Sequence, residues 1–130
     1  MIIRLDMASE VPIYVQLRNA VVVGIGKGEL QPGEGLPTVR QMAEDLGVNT
    51  MTVNKAYGIL KNEGFIEIDR RHGARVNPKE DKFGVFREKA EEELLLLIAE
   101  ATVRGIEKKE FLELCEKVYG SMCMPELKTV

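Results

Sequence analysis

The chain has 130 residues, which is enough for one or two small domains with a modest hydrophobic core. Its longest apolar run, residues 94–99, is far shorter than a membrane-spanning helix, and its first residues do not follow the signal-peptide pattern, so we expect a cytoplasmic protein without a membrane partner. The formal net charge of -3 disfavours strong non-specific attraction to nucleic-acid phosphates.

The charge is unevenly distributed along the chain. Many acidic residues follow Pro78, whereas Arg70, Arg71 and Arg75 lie close together before it. This spacing predicts a local basic tip on an otherwise neutral first part of the chain. Such a tip is sufficient for a dimer that binds one specific site, and it predicts weak non-specific binding.

Two helices are predicted in the first half of the chain. Residues 12–27 have the apolar spacing of an amphipathic helix, and residues 28–35 contain three glycines and a proline, which predicts a turn-rich connection rather than a helix or strand. A second helix is expected at Thr38, whose hydroxyl caps it, with Gln41 completing a capping box. Gly47 suits the left-handed residue that closes this helix.

A third helix and a hairpin are predicted to follow. The helix begins at Asn49 or Thr50 and ends at Gly64, and the residues after it read as a strand (65–69), a tight turn (70–73) and a return strand (74–76). This order predicts a winged helix-turn-helix, in which the later helix lies in the major groove of DNA. The fold class is therefore mainly α with a small β-hairpin.

A helical tail is predicted beyond this domain. The winged domain covers residues 1–77, residues 78–81 form a polar linker, and residues 82–130 form a second module with helices at 82–104 and 107–119. The long helix is apolar nearly all round, so one short neighbouring helix cannot cover it. We expect the uncovered side to pair with a second copy, which makes the tail a dimerisation module.

The motifs of the first half resemble those of the GntR family of bacterial transcription regulators. The matching pieces are PIYVQL at residues 12–17, GELQPG at 28–33, LPTVRQMAEDLGV at 36–48, TVNKAY at 52–57 and EG at 63–64. The small helical tail is similar to the YtrA-like subfamily. This resemblance implies a DNA-binding transcription regulator whose two tail helices form a dimerisation module.

The resemblance also implies which residues contact double-stranded DNA. Arg40 corresponds to an arginine that contacts a base edge or a nearby phosphate, and Thr38 lies close to the DNA backbone. Positions on the groove-facing side of the recognition helix are Thr50, Thr52, Asn54 and Lys55, and the wing tip that enters the minor groove is Arg71, His72 and Gly73. Thr50 stands where the family often has arginine, so one strong contact to guanine is absent, and Arg71 replaces the usual first glycine of the wing.

Several individual residues have two interpretations. Gly58, in the middle of a helix, is either tolerated drift or a site of close approach to a phosphate. Tyr57 belongs to the core or binds a phosphate, and the core is favoured. Cys115 with Met122, Cys123 and Met124 would suit copper(I), but Cys115 fits an apolar helix face and the other three a frayed tail, so no metal site and no cofactor is predicted.

The sequence favours a homodimeric repressor that binds a palindromic operator near its own operon, with transporter genes as targets. A small-molecule effector of unknown identity would act at the dimer interface or between the domains. The alternative is a winged-helix protein-interaction module without specific DNA binding. An enzyme is disfavoured because the chain has one histidine, no Ser/His/Asp set and no phosphate loop.

Overall fold

The computed structural model describes residues 3–78 and 83–122, which belong to two compact units, Met1–Lys79 and Glu80–Val130. Within the described residues, no helix is long and apolar enough to cross a membrane. The first unit contains three helices and a two-stranded hairpin, and the second contains two helices. In chain order the elements are α1 (Ile13–Gly26), α2 (Val39–Leu46), α3 (Thr50–Asn62), β1 (Ile66–Asp69), β2 (Gly73–Val76), α4 (Phe83–Val103) and α5 (Lys108–Met122).

Side-chain caps determine where α2 and α3 begin. The Thr38 hydroxyl accepts a hydrogen bond from the Gln41 backbone N–H at 3.0 Å, and the Asn49 side chain accepts one from the Met51 N–H at 2.7 Å. The predicted capping box is only half formed, because the Gln41 side chain donates to Asp45 (2.8 Å) and accepts no hydrogen bond from the Thr38 backbone N–H. Gly47 has a φ of +68°, as predicted for the residue that closes α2.

The core of the first unit lies where α1 packs on α3. The faces that meet are fully buried, and they include Leu17 and Val21 of α1 with Val53, Ala56 and Leu60 of α3. Met42, Ile66 and Val76 join the same core from the remaining elements. Helix α3, the predicted recognition helix, is therefore held by its inner face while its outer face stays exposed.

A bidentate contact fixes the end of α3 to α1. The Arg18 guanidinium donates two hydrogen bonds to the Glu63 carboxylate, at 2.9 and 3.2 Å, and lies over the Phe65 ring at 5.3 Å. The Phe65 N–H bonds to the Leu60 carbonyl across Gly64, whose φ is +86°, so the helix ends in the predicted Schellman geometry.

The prediction that residues 28–35 contain no strand was incomplete. Residues 33–36 run beside β2: the Leu36 N–H bonds to the Ala74 carbonyl at 2.8 Å, and the Gly33 N–H bonds to the Val76 carbonyl at 2.8 Å. Gly35 forms an isolated antiparallel bridge with Arg75. This pairing uses backbone groups, so the side chains of a glycine-rich segment carry no alternation that would reveal it.

The second unit consists of α4, a turn at Gly105 and α5. Gly105 has a φ of +80°, and the Ile106 N–H bonds to the Ala101 carbonyl at 3.0 Å. Helix α4 therefore ends where the sequence predicted. Met122 is the last residue of α5, which corrects the prediction that it lies in a frayed tail. Cys123 and Met124 lie outside the described residues, as do residues 79–81 of the predicted linker and residue 82, the predicted start of the long helix.

The apolar side chains of α4 are largely uncovered in the single chain. Five consecutive residues, 94–98, are exposed, while Ala101 is buried near the turn. Ala101, Ile106 and Phe111 line an apolar cleft of about 350 Å³ between the end of α4 and the start of α5. Within one copy, α5 therefore covers little of α4.

Candidate nucleic-acid interface

The short segment that precedes α2 is bonded to both the hairpin and α3. The Leu36 N–H pairs with β2, and the next carbonyl, that of Pro37, accepts a hydrogen bond from the Tyr57 hydroxyl of α3 at 2.7 Å. We call residues 36–37 the junction. It links the start of α2 to the hairpin through a backbone hydrogen bond and to the middle of α3 through the Tyr57 hydroxyl, so these elements hold one geometry.

Tyr57 is a core residue, as the helical spacing favoured. Its side chain is 2% exposed, and burial raises the pKa of its hydroxyl to about 12. The hydroxyl is occupied by Pro37 and is not presented at the surface. Its contribution to any interface is therefore to place α3 against the start of α2.

Helix α2 presents Arg40 at its exposed N-terminal turn. The Thr38 hydroxyl is engaged in the helix cap, whereas within the described residues the Arg40 side chain has neither a hydrogen bond nor an ion pair. An uncompensated guanidinium has five donors available for a phosphate or a guanine edge. The structure thus leaves Arg40 free for the role that the sequence predicted.

The predicted reading face of α3 is exposed at its N-terminal end. Thr50, Asn54 and Lys55 are exposed, and Thr52 is half-buried. The Asn54 amide can donate and accept at a base edge, whereas the threonines offer a hydroxyl and a methyl group. Thr50 and Asn54, four residues apart, lie on the same side of the helix, whereas Thr52 lies on another side of its first turn.

Lys55 has an unexpected neighbour on α1. Its ammonium lies 4.1 Å from the centre of the Tyr14 ring, well within the distance of a cation–π interaction. In the sequence Tyr14 stands out only as part of a motif, because a contact between residues 41 positions apart has no local signal. An aromatic residue at the start of α1 was the available hint.

The wing has a three-residue tip that an aspartate organises. The register pairs Asp69 with Gly73, which leaves Arg70, Arg71 and His72 as the loop. The His72 backbone N–H donates to Asp69 Oδ1, and His72 Nδ1 lies 3.3 Å from Asp69 Oδ2. Hydrogen bonds from the backbone N–H groups of His72 and Arg71 lower the pKa of the Asp69 carboxyl.

The replacement of glycine by Arg71 is compatible with this turn. Among the described residues positive φ is confined to glycines, and Gly73, at +67°, is the residue of the tip that adopts it. Arg71 therefore needs no left-handed conformation. All three predicted wing-tip residues, Arg71, His72 and Gly73, are exposed.

Arg75 does not belong to the basic tip that the sequence predicted. Its guanidinium lies 3.6 Å from the carboxylate of Glu67, its cross-strand partner. It also lies 3.9 Å from the carboxylate of Asp69, the next residue of β1 on the same face of the hairpin. The basic charge of the wing therefore rests on Arg70 and Arg71. Pairing between strands depends on register, which was not fixed by the sequence pattern alone.

The electrostatics of the first unit depend on which cations are paired. Residues 3–78 contain nine basic and nine acidic residues, so the described part of this unit is neutral when histidine is uncharged. Arg18 and Arg75 are held in ion pairs, whereas Arg40, Lys55, Arg70 and Arg71 have no carboxylate within 4.0 Å among the described residues. These four cations lie on the start of α2, the outer side of α3 and the wing, and Arg4, Lys27 and Lys61 are the other cations of residues 3–78 without an ion pair to a described residue.

Metal chemistry finds little support in the described residues. They contain no group of three or more His, Cys, Asp and Glu side chains placed to hold a metal ion. Cys115 is half-buried on α5. Of the three other residues of the copper hypothesis, Met122 ends α5, and those at positions 123 and 124 fall in the part of the chain that is not described.

Comparison with known proteins identifies similar regulators. Residues 13–76 match the model of the family described as bacterial regulatory proteins, gntR family. The chain is 33% identical over 122 residues to the HTH-type transcriptional repressor YtrA of Bacillus subtilis (strain 168). The aligned region covers 89% of this chain and 91% of that protein.

Solved structures share the fold. A transcriptional antiterminator from Listeria monocytogenes EGD-e superposes with a TM-score of 0.86 at 25% identity, over 94% of this chain and 92% of that one. YtrA from Sulfolobus acidocaldarius, a GntR-family transcription factor, has a TM-score of 0.66 at 37% identity, over 76% and 99% of the two chains.

A further solved structure contains DNA. The DNA-binding domain of AraR, solved in complex with operator ORX1, has a TM-score of 0.51 at 27% identity and covers 56% of this chain and 90% of that chain. The similarity therefore extends to a domain that is seen on its operator.

Proposed function

Because the chain belongs to the GntR family, we propose that it binds a palindromic operator as a homodimer and represses the operon under that operator's control. As a family member it is a transcription regulator with a DNA-binding domain and not an enzyme. The repressor role is supported by the name of the Bacillus subtilis relative, a transcriptional repressor similar over 89% of this chain. Following the YtrA-like resemblance, we propose transporter genes as targets and the cytoplasm as the compartment.

One observation carries the proposal. The unpaired cations Arg40, Lys55, Arg70 and Arg71 stand on the three elements that the junction links, while Arg18 and Arg75 are neutralised by carboxylates. A surface that leaves its cations unpaired attracts phosphates even when the unit as a whole is neutral. The grouping of four such cations on three linked elements favours a DNA interface over a surface whose charges serve solubility alone.

We assign the contacts by their chemistry. Arg40 and Asn54 have the donors and acceptors needed at base edges, and Thr50 and Thr52 supply smaller contacts on the same helix. Thr38 lies by the DNA backbone, with its hydroxyl committed to the cap. Arg71 and His72 enter the minor groove, where Gly73 allows the tight turn behind them.

We propose that the helical tail joins two copies. Its support is the uncovered apolar surface of α4, since exposed apolar surface of this extent marks an interaction site. A two-fold dimer presents two recognition helices to an inverted repeat, with half-sites about 10 bp apart or a multiple of that spacing. Repression follows if the bound dimer covers the promoter, and an effector that binds the dimer interface would release it.

The proposal is tested by fluorescence anisotropy with the promoter duplex upstream of the protein's own gene and a scrambled duplex of equal length. Titrations run from about 50 to 200 mM salt, because phosphate contacts make affinity strongly salt-dependent. We expect tighter binding to the promoter at every salt concentration. Equal affinity for both duplexes would overturn the repressor proposal.

Two variants separate a DNA reader from a protein-interaction module. Arg40→Ala should weaken promoter binding by about 1 to 3 kcal/mol if Arg40 contacts a base. Arg87→Ala is the matched control, because Arg87 forms an exposed ion pair with Glu91 on α4, an element of the second unit. An interaction module predicts instead that Arg40→Ala combined with Arg71→Ala changes no DNA binding and leaves a protein partner bound.

A further inference from the structure

The contact between Lys55 and Tyr14 joins the recognition helix to α1 through a charged side chain. The ammonium lies 4.1 Å from the ring centre, and the ring belongs to the first turn of α1. An aromatic ring attracts a cation through its quadrupole without neutralising its charge. The ring therefore restricts the position of the Lys55 ammonium without supplying a counter-ion.

The charge of Lys55 is not compensated elsewhere in the described residues. No carboxylate there lies within 4.0 Å of its ammonium, whereas Arg18, on the same side of α1, is paired with Glu63. Lys55 itself is exposed, and Tyr14 is half-buried. The arrangement leaves one face of the ammonium on the ring and the other face open to an anion.

The location of the ring limits what Lys55 can reach. Helix α1 packs along one side of α3, so an ammonium in contact with Tyr14 lies on that side of α3. Thr50 and Asn54, at the start of α3, make no such contact with α1 in the described residues. A lysine ammonium is a compact point charge suited to a phosphate oxygen, and its flexible stem loses conformational freedom when it binds. A ring that restricts the stem beforehand reduces this loss.

We propose that Tyr14 is a positioning residue that holds the Lys55 ammonium against a phosphate of the DNA backbone, so that Lys55 supplies sequence-independent affinity. The proposal rests on the proposed function in requiring that α3 faces DNA. It assigns Lys55 to the backbone and leaves base reading to Arg40 and to the other exposed residues of α3.

The binding test uses anisotropy of the full chain with the promoter duplex and its scrambled counterpart across a salt series. Lys55→Gln should weaken binding to both duplexes alike and reduce the salt slope by about 1 per half-site. Lys61→Gln, an exposed lysine in the last turn of α3, is the matched control and should change the slope less.

The ring is tested by two substitutions of Tyr14. Tyr14→Leu, which keeps an apolar side chain without the quadrupole, should weaken binding to both duplexes roughly two- to five-fold per half-site, and Tyr14→Phe should restore wild-type affinity. In the Lys55→Gln background, Tyr14→Leu should have no further effect. If Tyr14→Phe is as weak as Tyr14→Leu, or if Tyr14→Leu weakens binding equally without Lys55, the proposal is wrong.

A measurement on the free protein, without DNA, tests directly whether Tyr14 holds the Lys55 side chain. In proton NMR of the free protein, the Lys55 ε-methylene protons should be shifted upfield by the ring current in wild type and Tyr14→Phe, and should return to ordinary values in Tyr14→Leu. An unshifted signal in wild type overturns the proposal, and the same spectra verify that each variant is folded.

Different results would contradict the proposed operator recognition and the proposed role of Tyr14 and Lys55. If wild type binds the promoter no tighter than the scrambled duplex, specific recognition fails while the coupling of Tyr14 to Lys55 is still measured on both duplexes. If Lys55→Gln weakens promoter binding alone, specific recognition stands and Lys55 reads a base, which overturns the backbone assignment. Absence of binding to either duplex overturns both levels.

Discussion

Tyr57 shows how one side chain sets the geometry of the interface. Its ring fills the core beside Leu60, and its hydroxyl donates to the Pro37 carbonyl at the start of α2. The apolar spacing of α3 predicted the buried ring. The partner of the hydroxyl, 20 residues away, could not be predicted, because it depends on how the helices pack.

Replacing Tyr57 with phenylalanine tests this link. Tyr57→Phe keeps the packing but leaves the part-buried Pro37 carbonyl without its donor, so the free energy of unfolding should fall by about 1 kcal/mol. Urea denaturation followed by circular dichroism measures it, with an unchanged m-value expected. An unaltered midpoint would mean that water replaces the hydroxyl at no cost.

A substitution at Gly58 should raise, not lower, the free energy of unfolding. It lies inside α3, and a Cβ added there would meet no heavy atom within 4 Å in the described structure. Gly58→Ala should therefore raise the free energy of unfolding by about 1 kcal/mol, because alanine favours the helix. Thermal or urea unfolding checks this, and a loss of stability would show that the glycine has a steric role within the fold.

At the scale of elements, the helices were more predictable than the contacts of the hairpin. The caps of α2 and α3 lie within three residues of the groups they bond, so Thr38 and Asn49 could be recognised from the chain. The pairing of residues 33–36 with β2 and the ion pairs of Arg75 connect residues that only the folded register brings together. The boundary of α5 was placed three residues early, at Tyr119 instead of Met122, because the helix continues through Gly120.

The stability of the wing should depend on pH through the carboxyl of Asp69. Hydrogen bonds from the His72 and Arg71 backbone N–H groups lower the pKa of its carboxyl below 3.8, so the folded wing favours the charged form. The stabilisation is present above the ordinary pKa of aspartate and is lost as the pH falls through the lowered value. The carbon-13 shift of the Asp69 carboxyl should give a midpoint below 3.8.

Asp69→Ala provides the comparison for this prediction. Without the carboxyl, the His72 N–H loses its acceptor, so its amide proton should exchange faster with solvent than in wild type at neutral pH. Glu67→Ala removes the other carboxylate near Arg75 and should leave that exchange rate unchanged. A midpoint at or above 3.8 would contradict the role given to Asp69.

For the whole molecule, the uncovered surface of α4 predicts a second copy. Leu97 is 52% exposed on the apolar stripe that continues to the buried Ala101. In the proposed dimer, Leu97→Glu would bury an unpaired charge, which costs far more than exposure of the leucine gains. The stripe was predictable from helical spacing, whereas the small area that α5 covers required the structure.

Sedimentation velocity tests the prediction. Wild type should sediment as a dimer and Leu97→Glu as a monomer at the same concentration, with promoter affinity reduced because the two recognition helices are no longer linked. Met7→Glu introduces the same charge at a 62% exposed apolar residue of the first unit and should remain dimeric. A monomeric wild type would contradict the dimer.

The most direct measurement of the central claim is the selection of binding sites from a randomised pool of duplex DNA by the full chain. A dimeric reader with the proposed interface should enrich an inverted repeat whose half-site centres are about 10 bp apart or a multiple of that distance. Arg40→Ala should lose the preference at one or more positions of each half-site. Enrichment of no common sequence, or of an isolated half-site without its symmetric partner, would contradict the account.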